Sequence, residues 1–269
     1  ILTCALGDDS SMSVLMPLGA DPHDFQASSA QVALMAGADL VVVNGLGLEE
    51  GVLDAVENVE ADGVSVLEIA ALVDPLPFGE EHSEEESHDD HGHGEFDPHF
   101  WFDMERMALA AELIGAELAV NGDESFASCG ESVAGEIRAT DVLVADTLSS
   151  VQEANRVLVT DHDALGYLAE RYDFDVVGVV IPGGSTLGDA NSSDLADLVA
   201  TIQNEGVRAI FGNTAGSPAL LETLAAEVGG DVQVVELFVG SLGGPASGAE
   251  SYAEMMMTNA TRIASALAD

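Results

Sequence analysis

Lysine is absent from this chain, and positive charge of any kind is scarce. Six arginines face 49 acidic residues, giving a net charge of −43. Such a surface repels nucleic acid and anionic lipid headgroups, so neither is an expected partner, and it attracts cations. The imbalance fits adaptation to high salt, where the Debye length falls to about 3 Å at 1 M and self-repulsion is screened. It predicts loss of stability in dilute buffer. Cysteine is nearly absent too. Cys4 and Cys129 exclude a disulfide framework and a cysteine-rich zinc module; one disulfide is formally possible, but nothing in the spacing asks for it. No run of about 18 apolar residues exists, so no segment reads as a membrane-spanning helix. The chain as given shows no signal peptide. Leu2 and Cys4 stand near a lipoprotein-like spacing, but Thr3 is a poor residue before an acylated cysteine.

Hydrophobic residues make up 47% of 269 positions, enough for one large or two modest domains with cores. Met12 to Pro17 reads as a buried strand. Ser28-Ser29-Ala30-Gln31 is a capping box before a short helix. Asp39 to Val43 is a continuous apolar run ending in the turn Asn44-Gly45-Leu46-Gly47. A helical pattern covers 49–58, and Val64 to Ile69 is another strand. This β-α-β-α-β order predicts a parallel sheet. After an interruption, Asp103 caps a helix with Met107, Ala110, Ala111, Ile114 and Leu118 on one face, and a second long helix covers about 124–153. The second half alternates again. Strands are expected at 156–160, 176–181, 207–211 and 232–237. The helices between them run over 163–172, from Ser193 to about 205, and from Ser217-Pro218. A closing helix spans 249–267. The reading is an α/β protein of two lobes with parallel sheets, joined by a long connecting helix, with a cleft between them. The lobes are 1–122 and 154–269, and the connector is 123–153.

The chemistry concentrates on histidine. Asp97-Pro98-His99-Phe100-Trp101-Phe102-Asp103 repeats the tripeptide Asp21-Pro22-His23. An acidic loop over 80–95 carries His82, His88, His91 and His93 and reads as solvated. The remaining three histidines, His23, His99 and His162, each fall just past an expected strand or at a loop-helix junction, where open α/β sheets line their ligand crevice. Three neutral imidazoles converging there would bind a transition metal, with nitrogen–zinc bonds of about 2.0–2.1 Å. Asp21 and Asp97 either orient the neighbouring histidines from behind or cap the following turns.

The segments GADPHDFQASSAQVALMAGADLVVVNGLGLE, DPHFWFD, VTDHDALGYLAERY and SYAEMMMTN resemble the zinc/manganese-binding solute receptors of ABC importers, in order and over essentially the whole chain. The acidic excess adds a haloarchaeal character. The resemblance implies two Rossmann-like lobes bridged by one rigid helix, with metal buried between them and His23, His99 and His162 as ligands. It implies Zn²⁺ ahead of Mn²⁺, because the manganese receptors tend to carry Glu where His162 stands. It also implies extracytoplasmic binding of the metal, delivery to the permease subunits of an importer, and action as a monomer and not an enzyme. The receptors usually offer a fourth, carboxylate ligand in a stretch matching Phe238-Val239-Gly240-Ser241-Leu242, where this chain has Gly240. Water, Glu236 or a group from the acidic loop is left to fill that place. The loop histidines would gather metal and pass it inward. The receptors also have a strand and most of a helix before the segment matching Ile1 to Asp9. The chain therefore reads as starting inside that helix: either it is truncated, with a membrane anchor carried by the missing N-terminal segment, or a strand has been lost.

Two rival readings use the same residues. Three histidines and a water also make a catalytic zinc site, for a hydrolase or hydratase, with Asp163 as the only candidate base and no HExxH helix. A metal-dependent adhesin (a cell-adhesion protein) or an extracellular metal buffer shares every feature. Asn191-Ser192-Ser193 and Asn259-Ala260-Thr261 are glycosylation sequons, meaningful only on export. Pro182-Gly183-Gly184-Ser185 lacks the lysine and spacing of a phosphate loop. Met255-Met256-Met257 reads as core.

Overall fold

In a computed structural model, residues 12–78, 95–229 and 232–268 are described. The N-terminal part is built from short elements. Ser28 caps α1 (Ser29–Ala36) through the reciprocal box read from the sequence, with Gln31 bonding back to the Ser28 backbone. Then follow β1 (Leu40–Val43), a single 3₁₀ turn, α2 (Leu53–Ala61) and β2 (Ser65–Glu68). β1 and β2 pair in parallel and form a sheet of two strands. The expected strand at Met12 to Pro17 does not form: Met12 and Val14 are exposed. The Leu15 carbonyl is taken by the Gln31 side chain instead of a neighbouring strand. An apolar run is only a strand when a partner edge is within reach.

Asp103 caps α3 (Met104–Asn121) by accepting from the backbone of Glu105 and Arg106. The connecting helix is α4 (Ser125–Ser149), 25 residues and so about 38 Å long. It crosses α3 at a glycine pair. A Cβ on Gly130 would sit 2.6 Å from the Ala111 carbonyl, and one on Gly115 would sit 2.9 Å from Gly130 Cα. The two helices approach so closely because neither has a side chain there. Cys129, buried on the same stretch of α4, is disulfide-bonded, contrary to the expectation that nothing asks for a bridge; Cys4 lies outside the described residues.

The C-terminal part comprises β3 (Val157–Thr160), α5 (Gly166–Tyr172), β4 (Asp175–Val179), α6 (Ser192–Glu205), β5 (Ala209–Asn213), α7 (Ala219–Val228), β6 (Gln233–Leu237) and α8 (Tyr252–Leu267). The four strands pair in parallel in the order β4-β3-β5-β6. Two expected boundaries shift. The first helix begins at Gly166 and not Asp163, and Asn191, not Ser193, caps α6. The side chain of Asn191 reaches the backbone of Ser193 and Asp194, which is what a cap requires.

Apolar burial divides unequally. One continuous core joins Ile69 and Val73 to Phe100, Phe102, α3, α4, α5 and α8, and to one face of the four-stranded sheet. A second cluster fills the other face of that sheet, between it and α6 and α7. The N-terminal unit has only a small cluster of its own, around Met35, Val41, Val52, Val56 and Val59. Met255 and Met256 are core, as expected. Asn259 is fully buried and holds both the N–H and the carbonyl of Phe238, so its sequon cannot serve as an acceptor.

Candidate metal centre

The strand order reverses between β3 and β5, from which the chain winds outward in opposite directions to β4 and β6. Such a switch point opens a crevice at the carboxyl ends of the strands. His162 stands there, two residues past the end of β3. Asp161 pins the position: its backbone N–H reaches the Phe211 carbonyl, and its Oδ2 accepts from the Asn213 backbone. Its Oδ1 accepts from both the backbone N–H and the ring Nδ1 of His162, each at 2.9 Å.

His99 is held in the same manner on the opposite wall. Asp97 Oδ1 lies 2.9 Å from the His99 backbone nitrogen and 2.7 Å from its Nδ1. The surrounding segment is fastened from several sides. Tyr167 donates to the Asp97 carbonyl, Trp101 Nε1 donates to the Val239 carbonyl, and Tyr252 donates to the Trp101 carbonyl. From the N-terminal unit, Asn44 donates to the Pro98 carbonyl. The turn that places Asn44 bends through positive φ at Gly45, Leu46 and Gly47, and the Glu49 carboxylate collects the N–H groups of Asn44 and Gly45. The NGLGLE turn thus braces the DPHFWFD segment.

His23 comes from the loop before α1. Asp21 accepts from its backbone, not its ring, and its other oxygen is taken by Thr186. Of the two alternatives for the Asp-Pro-His aspartates, Asp97 both caps and orients, whereas Asp21 only caps.

The three rings meet. All are buried to within 2% of full exclusion from solvent, with centroids 5.2–5.5 Å apart. Among the described residues they form the one group of three or more such donors able to hold a metal ion, with one ligand atom each within 4.8 Å of the others. Because Asp97 and Asp161 occupy the Nδ1 atoms of His99 and His162, their Nε2 atoms are the ones left to bind. His99 Nε2 lies 3.4 Å from His23 Nε2. Two nitrogens on one tetrahedral zinc stand about 3.3 Å apart, so this spacing fits that ion. His162 Nε2 and His23 Nδ1 are buried without a hydrogen-bond partner. A buried polar atom left open is costly unless it serves a ligand or closes onto a neighbour.

The electrostatics favour neutral rings at His23 and His99. Burial first, then the neighbouring His99 and His162, push His23 down to about 4. Burial holds His99 well below the ordinary imidazole value. Asp97 is pushed up to about 7 by burial, against the pull of the His99 N–H.

The other expected residues lie elsewhere. Glu236 is exposed on β6. It lines a cavity of about 350 Å³ with Asp21, Asp24, Asp161 and Asn213, to which the three histidines do not contribute. Gly240 is close to the site, and a Cβ there would sit 2.6 Å from Pro22 Cδ. His82, His88, His91 and His93 lie outside the described residues. Asp161 was missed from sequence; its signal is the Thr160-Asp161-His162 stretch at a strand end.

A two-lobed α/β architecture with a buried three-histidine centre at the boundary between its sheets is that of a metal-binding receptor. The chain belongs to the family described as the periplasmic component A of the zinc-uptake complex, whose model matches residues 3–266. That description is of an uptake component of an importer and not of an enzyme, so the hydrolase reading is set aside. Among relatives, the manganese-binding lipoprotein MntA of Halalkalibacterium halodurans is 26% identical over 99% of this chain and 84% of that protein. The zinc-binding protein TroA of Treponema pallidum is 28% identical over 97% of this chain and 82% of its own length. A solved structure of the periplasmic zinc-binding protein TroA from Treponema pallidum superposes with a TM-score of 0.80, at 29% identity, over 95% of this chain and 90% of that one.

Proposed function

We propose that this protein is an extracytoplasmic receptor that binds Zn²⁺ with high affinity as cargo and hands it to the permease of an ABC importer. The observation that carries the reading is the pair of aspartates behind His99 and His162, which fix two imidazoles with their Nε2 atoms turned toward His23. An all-imidazole donor set suits zinc, whereas Mn²⁺ is better served by carboxylate and water oxygens, so Mn²⁺ ranks second. A water is the simplest fourth ligand, and Glu236, which lines the adjoining cavity with Asp21 and Asp161, is the alternative. The lobes act as one monomeric unit, divided near 122 and 154 by α4. The four loop histidines gather metal and pass it inward. This is supported by the stem of that loop, where Pro77 and Phe96 bridge and Phe78 lies against Gly184 of the cleft wall. Zinc titration of the metal-free protein, followed by calorimetry, tests the reading. One equivalent should bind tightly to wild type and none to His99→Ala; tight one-to-one binding by that variant would overturn the assignment.

The acidity is adaptation to high salt. The melting temperature should rise between dilute buffer and multimolar KCl as repulsion among the surplus carboxylates is screened. An unchanged value would remove that reading.

A further inference from the structure

Two of the three histidines have a carboxylate on Nδ1, and the third has an unpartnered Nδ1 buried beside one. That nitrogen, on His23, lies 4.0 Å from Glu50 Oε1. Glu50 opens the 3₁₀ turn before α2, so it belongs to the same N-terminal unit as His23. The same Oε1 accepts a 2.6 Å hydrogen bond from Ser185 Oγ, which comes from the glycine-rich loop after β4 on the other side of the cleft. Ser185 is itself buried, and its hydroxyl oxygen also accepts from the Leu187 backbone, so its direction is fixed.

We propose that Glu50 is the positioning residue for His23 and that Ser185 holds it in place from across the cleft. The proposal rests on the receptor reading and deepens it. A closure of about 1 Å brings Glu50 into hydrogen-bond range of Nδ1. The proton then sits on Nδ1, and Nε2 is left with its lone pair toward the metal, matching His99 and His162. Since the acceptor is shared with a group of the opposite wall, orienting His23 and joining the two sides of the cleft become one event. Thr186, next to Ser185, and Asp21, two residues before His23, add a second bond across the same gap.

The experiment compares wild type, Glu50→Ala, Glu50→Gln and Ser185→Ala, using zinc alone as the probe. Glu50 is half-exposed, so the metal-free variants should melt with wild type, which checks folding. Loss of an orienting partner costs about 10–100-fold in metal affinity. Glu50→Ala should lose that much, with faster zinc release. Glu50→Gln keeps an acceptor oxygen and should recover part of the loss, and Ser185→Ala should fall between Glu50→Ala and wild type. The readout specific to orientation is the ¹⁵N spectrum of the His23 ring in the zinc-loaded protein. It should show a protonated, slowly exchanging Nδ1 in wild type and a fast-exchanging one in Glu50→Ala. Zinc affinity and release within twofold of wild type in Glu50→Ala would overturn the proposal, as would Glu50→Gln falling fully with it. If wild type binds one zinc and His99→Ala none while Glu50→Ala is silent, only Glu50 is removed and the receptor stands. If wild type binds no zinc, both fall.

Discussion

The N-terminal and C-terminal units present their histidines by different means. His162 sits at the switch point of a four-stranded parallel sheet, and His99 is tied by tyrosine, tryptophan and backbone bonds into the core that this sheet shares with α3, α4, α5 and α8. Each has its carboxylate already within 3 Å of Nδ1. His23 rides on a unit with two strands and a small separate core, and its ring nitrogen awaits a partner. On the receptor reading proposed above, the difference means that two ligands are prepared before metal arrives and that the third is delivered. Polar bonds join the His23 side to the opposite wall, from Gly19 to Ser241, Asp21 to Thr186 and Glu50 to Ser185, and Asn44 adds one to Pro98. Ile69, Ala70 and Val73 anchor the end of this unit in the continuous core, while the segment carrying His23 lies outside it. α4 also runs along the continuous core, which restricts movement to a small adjustment of the His23 side.

The largest effect expected from a non-ligand residue lies on the prepared side. Asp161→Ala frees His162 and also removes the acceptor for the Asn213 backbone, so zinc affinity should fall by about 100-fold, the upper end for an orienting carboxylate. Titration against a competing chelator measures it. Should Glu50→Ala cost more than Asp161→Ala, the ranking of the two sides would be reversed and His23 would be the better prepared ligand.

Protons offer a second way to sharpen the contrast. His23 and His99 are already neutral well above their lowered values, so they take little from metal affinity near pH 7. Asp97 behaves oppositely. Its value near 7 means that it is partly protonated there, and a divalent cation at His99 favours its ionised form. Binding therefore releases a proton, and affinity should fall about tenfold for each pH unit below 7, steepening toward 4 as His23 also begins to take up a proton. Affinity flat down to pH 6.5 would show that Asp97 stays ionised without metal. In Asp97→Asn the decline should move to lower pH, toward the lowered values of His23 and His99.

Much of the fold and of the site is legible in the sequence, for physical reasons that differ between residues. The capping box at Ser28 and the cap at Asp103 are local hydrogen-bond patterns that a few residues determine. The parallel four-stranded sheet follows from apolar runs alternating with helical periodicity. The three histidines stood out because each lies at an element junction, and the solvated composition of 80–95 set the other four apart. The strand expected at Met12 failed because a strand depends on a partner that may lie anywhere in the chain, and here none pairs with it among the described residues. Asp161 has no such signature, because the repeated Asp-Pro-His sets an aspartate two positions before its histidine, whereas just after β3 the adjacent residue does the same work. Asp21 has the right spacing and the wrong target, since its oxygen is drawn to Thr186, 165 positions away. Glu50 has no local signature at all; only the fold brings it to His23.

Gly240 gives the smallest expected effect and the sharpest test of how firmly the two sides meet. A carboxylate at this position looks like the obvious missing fourth ligand. The structure argues against simple restoration, because a Cβ at 240 would press to 2.6 Å on Pro22 Cδ and 3.2 Å on Cγ. Pro22 is the rigid link between Asp21 and His23, so relief of the clash displaces His23 itself. Gly240 shows no positive φ, so close approach and not backbone strain is what the glycine serves. Gly240→Asp should therefore bind zinc a few-fold more weakly than wild type, the new oxygen being offset by the displaced ring. Were it instead to bind more tightly, the N-terminal unit would have to be free to retreat from the C-terminal wall without losing His23. The prepared and delivered ligands would then be separated by a far softer boundary than the polar bonds across the cleft imply.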